Sequence, residues 1–261
     1  MISGAYVGNR GRKRFHEDWI RLSAHYRRGD HLLTLGRWLG SKKGWTSAPV
    51  HPLVRSKLSR ILELAEGKDV LDCGCVGARL EDAPFEYDGN TSASGHIQIA
   101  KVARSCLGVD IWGEEVEKRR QVGLNVVTAN VETMRLGKTF DLIVAGDLIE
   151  HLANPGEFLS RAFAHLRDQG YLCIVTPNAF SVNTVLKSLL GIGTQVNAEH
   201  TCWYDPTTLG QLLKRYGFAP IEWYWQDYGR NPLASAIVSL RPSLAAHFIC
   251  IAERDPRGNL P

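Results

Sequence analysis

Two acidic residues and a histidine lie close together in the segment GDLIEHL, as Asp147, Glu150 and His151. On a helical turn, residues three and four positions apart share a face, so these side chains can converge on one point. A histidine beside carboxylates can take the proton of a hydroxyl nucleophile. Two acids and a histidine can also bind Mg²⁺ or a transition ion, with His200 of the later segment NAEHTCWY as a further ligand.

These residues allow two interpretations. In the catalytic interpretation, His151 and Glu150 take part in the reaction, and His200 with its neighbours Trp203 and Tyr204 contacts the substrate. In the alternative, the acid and the histidine only cap and brace the loop before the next helix, and the aromatic residues pack in the core, as most aromatic clusters do. The sequence leaves both interpretations open.

A second group of residues predicts a tight turn beneath a ligand. In DVLDCGCVGARL an apolar strand leads into Asp72-x-Gly74-x-x-Gly77. Glycine permits a sharp turn and close approach of the backbone to a ligand, although many strand-to-helix turns contain two glycines for conformational reasons alone. The next apolar run ends in Asp110, where a doubly wound fold places an acid that accepts both ribose hydroxyls. The alternative is that Asp110 caps the helix that follows.

Other polar residues follow neighbouring apolar runs. In TANVETM, the side-chain amide of Asn130 and the backbone N–H of Val131 can meet an adenine edge. His96, in SGHIQIAKVA, is predicted at the start of the first helix that covers the sheet, with its side chain facing solvent. The long polar stretch 79–94 is predicted to form a loop over the site.

The elements that must position these residues follow from the hydrophobic pattern. Short apolar runs alternate with amphipathic ones, which predicts βαβ units and a parallel sheet. Strands covered on both faces have continuous apolar sequences, such as DLIVAG. The fold class is therefore α/β, a doubly wound, mostly parallel sheet of seven strands. We expect strands near 70–73, 106–109, 126–129, 142–145, 171–175, 218–225 and 245–252, and helices near 52–66, 97–103, 114–122, 155–166 and 206–216.

A family resemblance covers residues 69–178. The segments VLDCGCVG, GVD, TANVETM, FDLIVAGDLIEHLANP and LRDQGYLCIVTPN resemble, in order, the motifs of class I S-adenosylmethionine-dependent methyltransferases. The later EHTCWYDPTTLGQLLKRYGF resembles the ubiquinone-pathway and related O-methyltransferase branch. The resemblance implies a Rossmann-like fold and S-adenosylmethionine as cofactor. The residues proposed to contact that cofactor are Asp72, Gly74, Gly77, Asp110, Ile111, Asn130, Val131 and Asp147. The chain departs from the usual pattern at Cys75 and Val76, and at Asn130, where Asp is more frequent.

The resemblance also bears on metal and substrate. The pattern around His151 resembles the metal-bearing D/E-x-x-E-H of ubiquinone-pathway O-methyltransferases and, with a second histidine, that of small-RNA 3′-terminal 2′-O-methyltransferases. The implied ligands of a divalent metal such as Mg²⁺ are Asp147, Glu150, His151 and His200. The leading hypothesis is methyl transfer to a hydroxyl of a small-molecule or glycan-like acceptor. The alternatives are RNA 2′-O-methylation and a non-catalytic binding subunit with the cofactor fold.

Composition sets the wider limits. The 261 residues are 44% hydrophobic and 22% charged, which is typical of a folded globular chain. Residues 1–60 contain 13 Lys and Arg against 3 Asp and Glu, a basic surface that meets nucleic acid or is merely solvated. We predict a basic arm or cap over 1–50, with a helix near 16–28, and a methyltransferase domain over 51–261 with a lid at 178–204. Six scattered cysteines, and no apolar run of membrane length, predict a cytoplasmic protein with reduced thiols and no membrane span.

Overall fold

The computed structural model describes residues 53–54, 56–77, 95–192, 197–227 and 231–255. The chain divides into residues 1–47 and 48–261, and all described residues belong to the second unit. The arm over 1–50, its helix near 16–28 and the polar stretch 79–94 lie outside the described residues, and the boundary between the arm and the methyltransferase domain stays a prediction.

The described residues form one eight-stranded sheet with the spatial order β1-β7-β8-β6-β5-β2-β3-β4. Strands β4, β3, β2, β5 and β6 pair in parallel, and β8 runs antiparallel to both β6 and β7. The mostly parallel α/β class is thus confirmed. The strands are β1 (Leu53–Val54), β2 (Asp69–Cys73), β3 (Ser105–Asp110), β4 (Val126–Thr128), β5 (Phe140–Gly146), β6 (Leu166–Pro177), β7 (Phe218–Gln226) and β8 (His247–Arg254).

The expected number of strands was wrong by one. The additional strand, β1, has only two residues, pairs with β7, and lies where the sequence predicted the start of a helix. That helix begins later, at Lys57, because the Ser56 hydroxyl accepts the Ser59 backbone N–H at 3.3 Å and so caps it. The chain turns at Gly67, whose φ of +67° is typical of a glycine just after the end of a helix.

Seven helices of the described chain cover the sheet and connect its strands. They are α1 (Lys57–Ala65), α2 (Gly95–Val102), α3 (Gly113–Gln121), α4 (Pro155–His165), α5 (Val182–Leu189), α6 (Pro206–Arg215) and α7 (Pro232–Leu240), with 3₁₀ turns at Ile149–His151 and Pro242–Leu244. Within the described ranges, none of the helices has both the length and the apolar character needed to cross a bilayer.

The core lies on both faces of the sheet. In β5, Ile143 belongs to one buried cluster, whereas Leu142 and Val144 belong to another. Burial of each such side chain contributes about 2 kcal/mol of transfer free energy. Because both faces are covered, a ligand is expected at the carboxyl ends of the parallel strands. Asp110, Gly146 and Pro177 end their strands at that edge, and His247 starts the antiparallel β8 there, opposite Pro177.

Candidate active site

The turn after β2 has the conformation that its glycines predict. Gly74 and Gly77 have φ of +78° and +75°, a region that side chains disfavour. The N–H groups of Gly74 and Cys75 both donate to the Val109 carbonyl, at 2.9 and 3.3 Å, which holds the turn against β3. A Cβ at position 74 would lie 3.3 Å from the Leu148 side chain, so a larger residue there would crowd Leu148.

Two buried acids end the neighbouring strands β2 and β3. Asp72 and Asp110 are 7% and 6% exposed. Asp110 Oδ2 accepts the Val76 N–H at 3.0 Å, and its Oδ1 accepts the Trp112 N–H at 3.2 Å. Asp110 therefore does not cap α3, whose N-cap residue Trp112 has no side-chain cap hydrogen bond. Its carboxylate instead joins the residue ahead of α3 to the glycine turn. Burial raises the pKa of the nearby Cys75 thiol, and the charges of Asp72 and Asp110 add to the rise.

His96 does not face solvent as the sequence suggested. It is 2% exposed, and its Nδ1 lies 2.9 Å from Asp72 Oδ2. The physical reason lies on β3, because a Cβ at Gly108 would come within 2.8 Å of His96 Cε1. The glycine leaves the space that the imidazole fills. A glycine inside an otherwise apolar strand was the signal in the sequence that a side chain approaches there.

The predicted adenine-binding residues follow β4. Asn130 is exposed, and its side-chain oxygen accepts the Glu132 N–H at 2.8 Å. Val131 is 4% exposed and packs in the core, which leaves only its backbone for a ligand. The Ile111 side chain is 62% exposed beside Asp110. The adenine contact stays a prediction.

A second group of residues meets beyond β5. One ligand atom each from Glu150, His151 and His200 lies within 4.8 Å of the others. The two imidazole rings are perpendicular, with centroids 4.6 Å apart. The 3₁₀ turn carries Glu150 and His151, and the Thr201 N–H donates to the Glu150 carbonyl at 2.8 Å, which pins the segment of His200 beside it. The structure thus brings together three of the four predicted ligands.

Glu150 is the most deeply buried member of this group, at 2% exposure. Its Oε2 accepts the Thr176 hydroxyl at 2.8 Å, and its buried Oε1 has no hydrogen-bond partner among the described residues. Burial raises the pKa of Glu150 to about 7, the Asp147 charge adds to the rise, and the Thr176 hydrogen bond opposes it. Burial and the neighbouring His151 lower the pKa of His200.

Asp147 lies outside the group of three. The spacing argument assumed that it shares a helical turn with Glu150, but the turn begins only at Ile149 and Asp147 has a φ of +50°. Its carboxylate instead forms an ion pair with Lys57 of α1, and His247 Nε2 lies 3.6 Å from its Oδ1.

Sequence reasoning missed His247 altogether. Burial lowers the pKa of His247 to about 4, against the opposing charge of Asp147. Its sequence signal was slight, because one polar residue at the start of an apolar strand is common.

Of the two aromatic residues predicted to contact a substrate, Tyr204 packs in the buried core and Trp203 is partly exposed, so the substrate contact stays a prediction. Trp223 and Trp225, in the later strand β7, are buried and pack against Phe248 in the core. Tyr204 is 7% exposed, whereas Trp203 is 40% exposed and accessible to a ligand. The described parts of the predicted lid, 178–192 and 197–204, include α5, and lid closure stays a prediction.

The fold is a mostly parallel sheet with this strand order, a glycine turn after β2 and acidic residues at the strand ends. These features are typical of a class I S-adenosylmethionine-dependent methyltransferase. Residues 49–222 match the family model described as a methyltransferase domain. The chain belongs to this family. Its residues fit the cofactor, since the turn at Gly74 and Gly77 keeps side chains out of the space beside two carboxylates.

Relatives with curated names agree with this family. The chain is 27% identical over 162 residues to a probable S-adenosylmethionine-dependent methyltransferase of Mycolicibacterium smegmatis, covering 61% of this chain and 55% of that protein. It is 28% identical over 206 residues to a ubiquinone biosynthesis O-methyltransferase of Rhodopseudomonas palustris, covering 76% of each. The match to the first relative thus spans just over half of its length.

Solved structures share the fold. An S-adenosylmethionine-dependent methyltransferase from Archaeoglobus fulgidus gives a TM-score of 0.53 at 18% identity, covering 76% of this chain and 91% of that one. A magnesium protoporphyrin IX methyltransferase from Synechocystis, with bound S-adenosylhomocysteine, gives a TM-score of 0.52 at 15% identity. That match covers 93% of this chain and 95% of the other chain. At these identities the likeness concerns the fold alone.

Proposed function

We propose that this methyltransferase transfers the methyl group of S-adenosylmethionine to a hydroxyl of a small-molecule or glycan-like acceptor. The proposal is carried by the meeting of Glu150, His151 and His200 at the sheet edge that also bears the glycine turn. A hydroxyl has a pKa far above neutrality and needs a base or a metal, whereas an amine needs mainly orientation. A buried acid with two imidazoles suits the more demanding nucleophile.

In the proposed reaction the hydroxyl oxygen attacks the methyl carbon in line with the departing sulfur. The O–CH₃ bond forms as the S–CH₃ bond breaks, and S-adenosylhomocysteine leaves with both electrons of the broken bond. The hydroxyl proton passes to His151. Glu150, whose pKa of about 7 lies near the working pH, stabilises the resulting imidazolium when it is ionised. Trp203 and His200 would hold the acceptor in place.

The cofactor would lie across the tips of β2, β3 and β4. In this proposal Asp110 accepts the ribose hydroxyls, and Asp72 faces the methionine end. The backbone at Asn130 and Val131 meets the adenine, against which the exposed Ile111 packs. The support is the burial of both acids at adjacent strand ends and the open turn between them.

A divalent metal also fits the three-residue group. The buried Oε1 of Glu150, which no described residue satisfies, points to a missing partner, and a carboxylate with two imidazoles suits a transition ion as well as Mg²⁺. Glu150, His151 and His200 would hold the ion, which supplies Lewis-acid activation of the hydroxyl when bound. Loss of turnover in a chelator, restored by one added metal, would support this form of the site.

The acceptor class can be tested with a panel of phenols, glycans and RNA incubated with S-adenosylmethionine. The readout is the mass gain of one methyl group, and alkaline hydrolysis distinguishes ethers from esters. We expect methylation of a hydroxyl on a phenol or glycan. Exclusive methylation of amines, or of RNA ribose, would contradict the proposal. Methylation of RNA ribose would support RNA 2′-O-methylation instead, which the pair of histidines also fits.

A further inference from the structure

We propose that His96 is a positioning residue, which fixes the carboxylate of Asp72 in the orientation that binds the amino-acid end of the cofactor. The inference rests on the proposed role of Asp72. It assigns a function to a buried histidine on α2 that is not part of the group formed by Glu150, His151 and His200.

The hydrogen bond between the two side chains is short and shielded. His96 Nδ1 and Asp72 Oδ2 are 2.9 Å apart, and the side chains are 1% and 10% exposed. An ionised carboxylate only accepts hydrogen bonds, so the imidazole donates through Nδ1–H, which fixes its tautomer. A bond of this kind, with a charged acceptor and little solvent, is among the stronger ones in proteins.

Asp72 needs such a bond because its backbone is fixed but its carboxylate is not. Within β2 it pairs with Gly108 on one side and Val144 on the other. The terminal torsion of an aspartate is broad, so strand pairing alone does not orient the two oxygens. Among the described residues, His96 is the only donor that bonds to this carboxylate. It holds Oδ2 and thereby determines where Oδ1 points.

The strand next to Asp72 is adapted to admit the imidazole. A Cβ at Gly108 would lie 2.8 Å from His96 Cε1 and 2.7 Å from Cys75 Sγ. Gly108 does not have a positive φ, so backbone conformation does not require glycine there. Glycine inside a strand weakens it, and close approach of another group is the usual reason for its presence.

The surroundings of His96 suit a residue that positions the Asp72 carboxylate, and not one that exchanges protons with a substrate. Its Nε2 is buried and has no hydrogen-bond partner among the described residues. No route for a substrate proton to this nitrogen is therefore evident in the described chain, and the Nδ1 proton is engaged by Asp72.

The test compares two ligands that differ at the amino-acid end. Calorimetry would measure the Kd of S-adenosylhomocysteine and of 5′-methylthioadenosine, which lacks that end, for the full chain and its variants. His96→Phe keeps a ring but removes the donor, and we expect it to weaken S-adenosylhomocysteine binding about tenfold or more. The Kd of 5′-methylthioadenosine should stay within about twofold. His96→Asn, which keeps an N–H near the position of Nδ1, should recover most of the lost affinity.

A control separates this effect from general loss of packing. His165 is also buried, but its Nε2 accepts the Leu136 N–H at 2.9 Å, where α4 ends before β6. His165→Phe should leave both Kd values unchanged. Equal weakening of both ligands in His96→Phe, or no weakening of either, would overturn the proposal.

Two further outcomes separate this proposal from the proposed role of Asp72. If wild-type protein does not bind S-adenosylhomocysteine, the cofactor role of Asp72 fails first. If Asp72→Asn weakens binding and His96→Phe does not, only the positioning role of His96 fails.

A measurement on the unmutated protein covers the case in which His96→Phe does not fold. The buried Nδ1–H of His96 should give a resolved imidazole proton resonance in ¹⁵N-labelled protein. We expect this resonance to shift when S-adenosylhomocysteine is added and to stay in place with 5′-methylthioadenosine. An identical response to both ligands would contradict the proposal.

Discussion

Asp110 Oδ2 accepts the backbone N–H of Val76 at 3.0 Å, so one side chain joins the end of β3 to the glycine turn after β2. Its other oxygen accepts the N–H of Trp112, ahead of α3. These two hydrogen bonds hold the carboxylate in one orientation. A group that is already fixed loses little freedom when ribose hydroxyls bind it, which favours affinity.

Asp110→Asn should therefore weaken cofactor binding more than it weakens the fold. The amide keeps one acceptor oxygen, but the charge is lost, and with it the stronger hydrogen bonds to ribose. We expect the Kd of S-adenosylhomocysteine to rise about tenfold in calorimetry. Asp205→Asn, which alters the helix cap of α6, is the matched control and should bind normally. Equal affinity in Asp110→Asn and wild type would count against the ribose assignment.

Glu150→Gln should change how stability depends on pH. The carboxyl titrates near 4.5 when unfolded and near 7 when folded, so the folded state retains its proton between these values. The Glu150 contribution to stability should fall by about 3 kcal/mol as pH rises through this window, so wild type should lose that amount relative to the glutamine variant. Urea unfolding at pH 5 and pH 8 in a chelator measures the difference. The exposed Glu157→Gln should retain the wild-type dependence, and identical curves for Glu150→Gln and wild type would contradict the burial argument.

His151→Ala should separate catalysis from cofactor binding. Removal of a general base costs about 10²–10⁴ in rate, whereas His151 is not among the residues proposed to contact the cofactor. We expect turnover to fall by this factor while the Kd of S-adenosylmethionine changes less than about threefold. Glu199→Gln removes the exposed acid 3.9 Å from His151 and should leave turnover near normal. A near-normal rate in His151→Ala would mean that another group takes the proton.

Gly108→Ala tests the packing of His96 against β3. The added methyl group meets the imidazole and the Cys75 thiol below 3.0 Å, so we expect a loss of about 1–3 kcal/mol in the free energy of unfolding. In a His96→Ala background part of the clash is absent, and the loss should shrink. Chemical denaturation of both single variants and the double variant gives the coupling. Strictly additive effects would show that the two positions do not contact.

The sequence was a good guide to features that depend on local pattern. Gly74 and Gly77 predicted positive φ because the need for glycine is a property of the backbone, and α6 lies within one residue of its expected end. Contacts between buried side chains of different elements were less predictable. Periodicity indicates which face of an element is apolar, but not which polar group from another element meets it.

The two misjudged histidines show this limit. His96 and Asp72 are 24 positions apart, and only the sheet and α2 bring them together. His247 reaches Asp147 because the antiparallel strand β8 begins at the edge where the parallel strands end. A positive φ at Asp147, which separates it from Glu150, has no signal in residue spacing.

The most direct test is a crystal structure of the protein with S-adenosylhomocysteine, in which the distances from the Asp110 carboxylate to the ribose hydroxyls are measured. We expect both hydroxyls within hydrogen-bond distance of Asp110, and the amino-acid end of the ligand beside Asp72. A ligand bound elsewhere, or side chains filling the space above Gly74 while Asp110 bonds only to Val76 and Trp112, would contradict the cofactor site proposed for this chain.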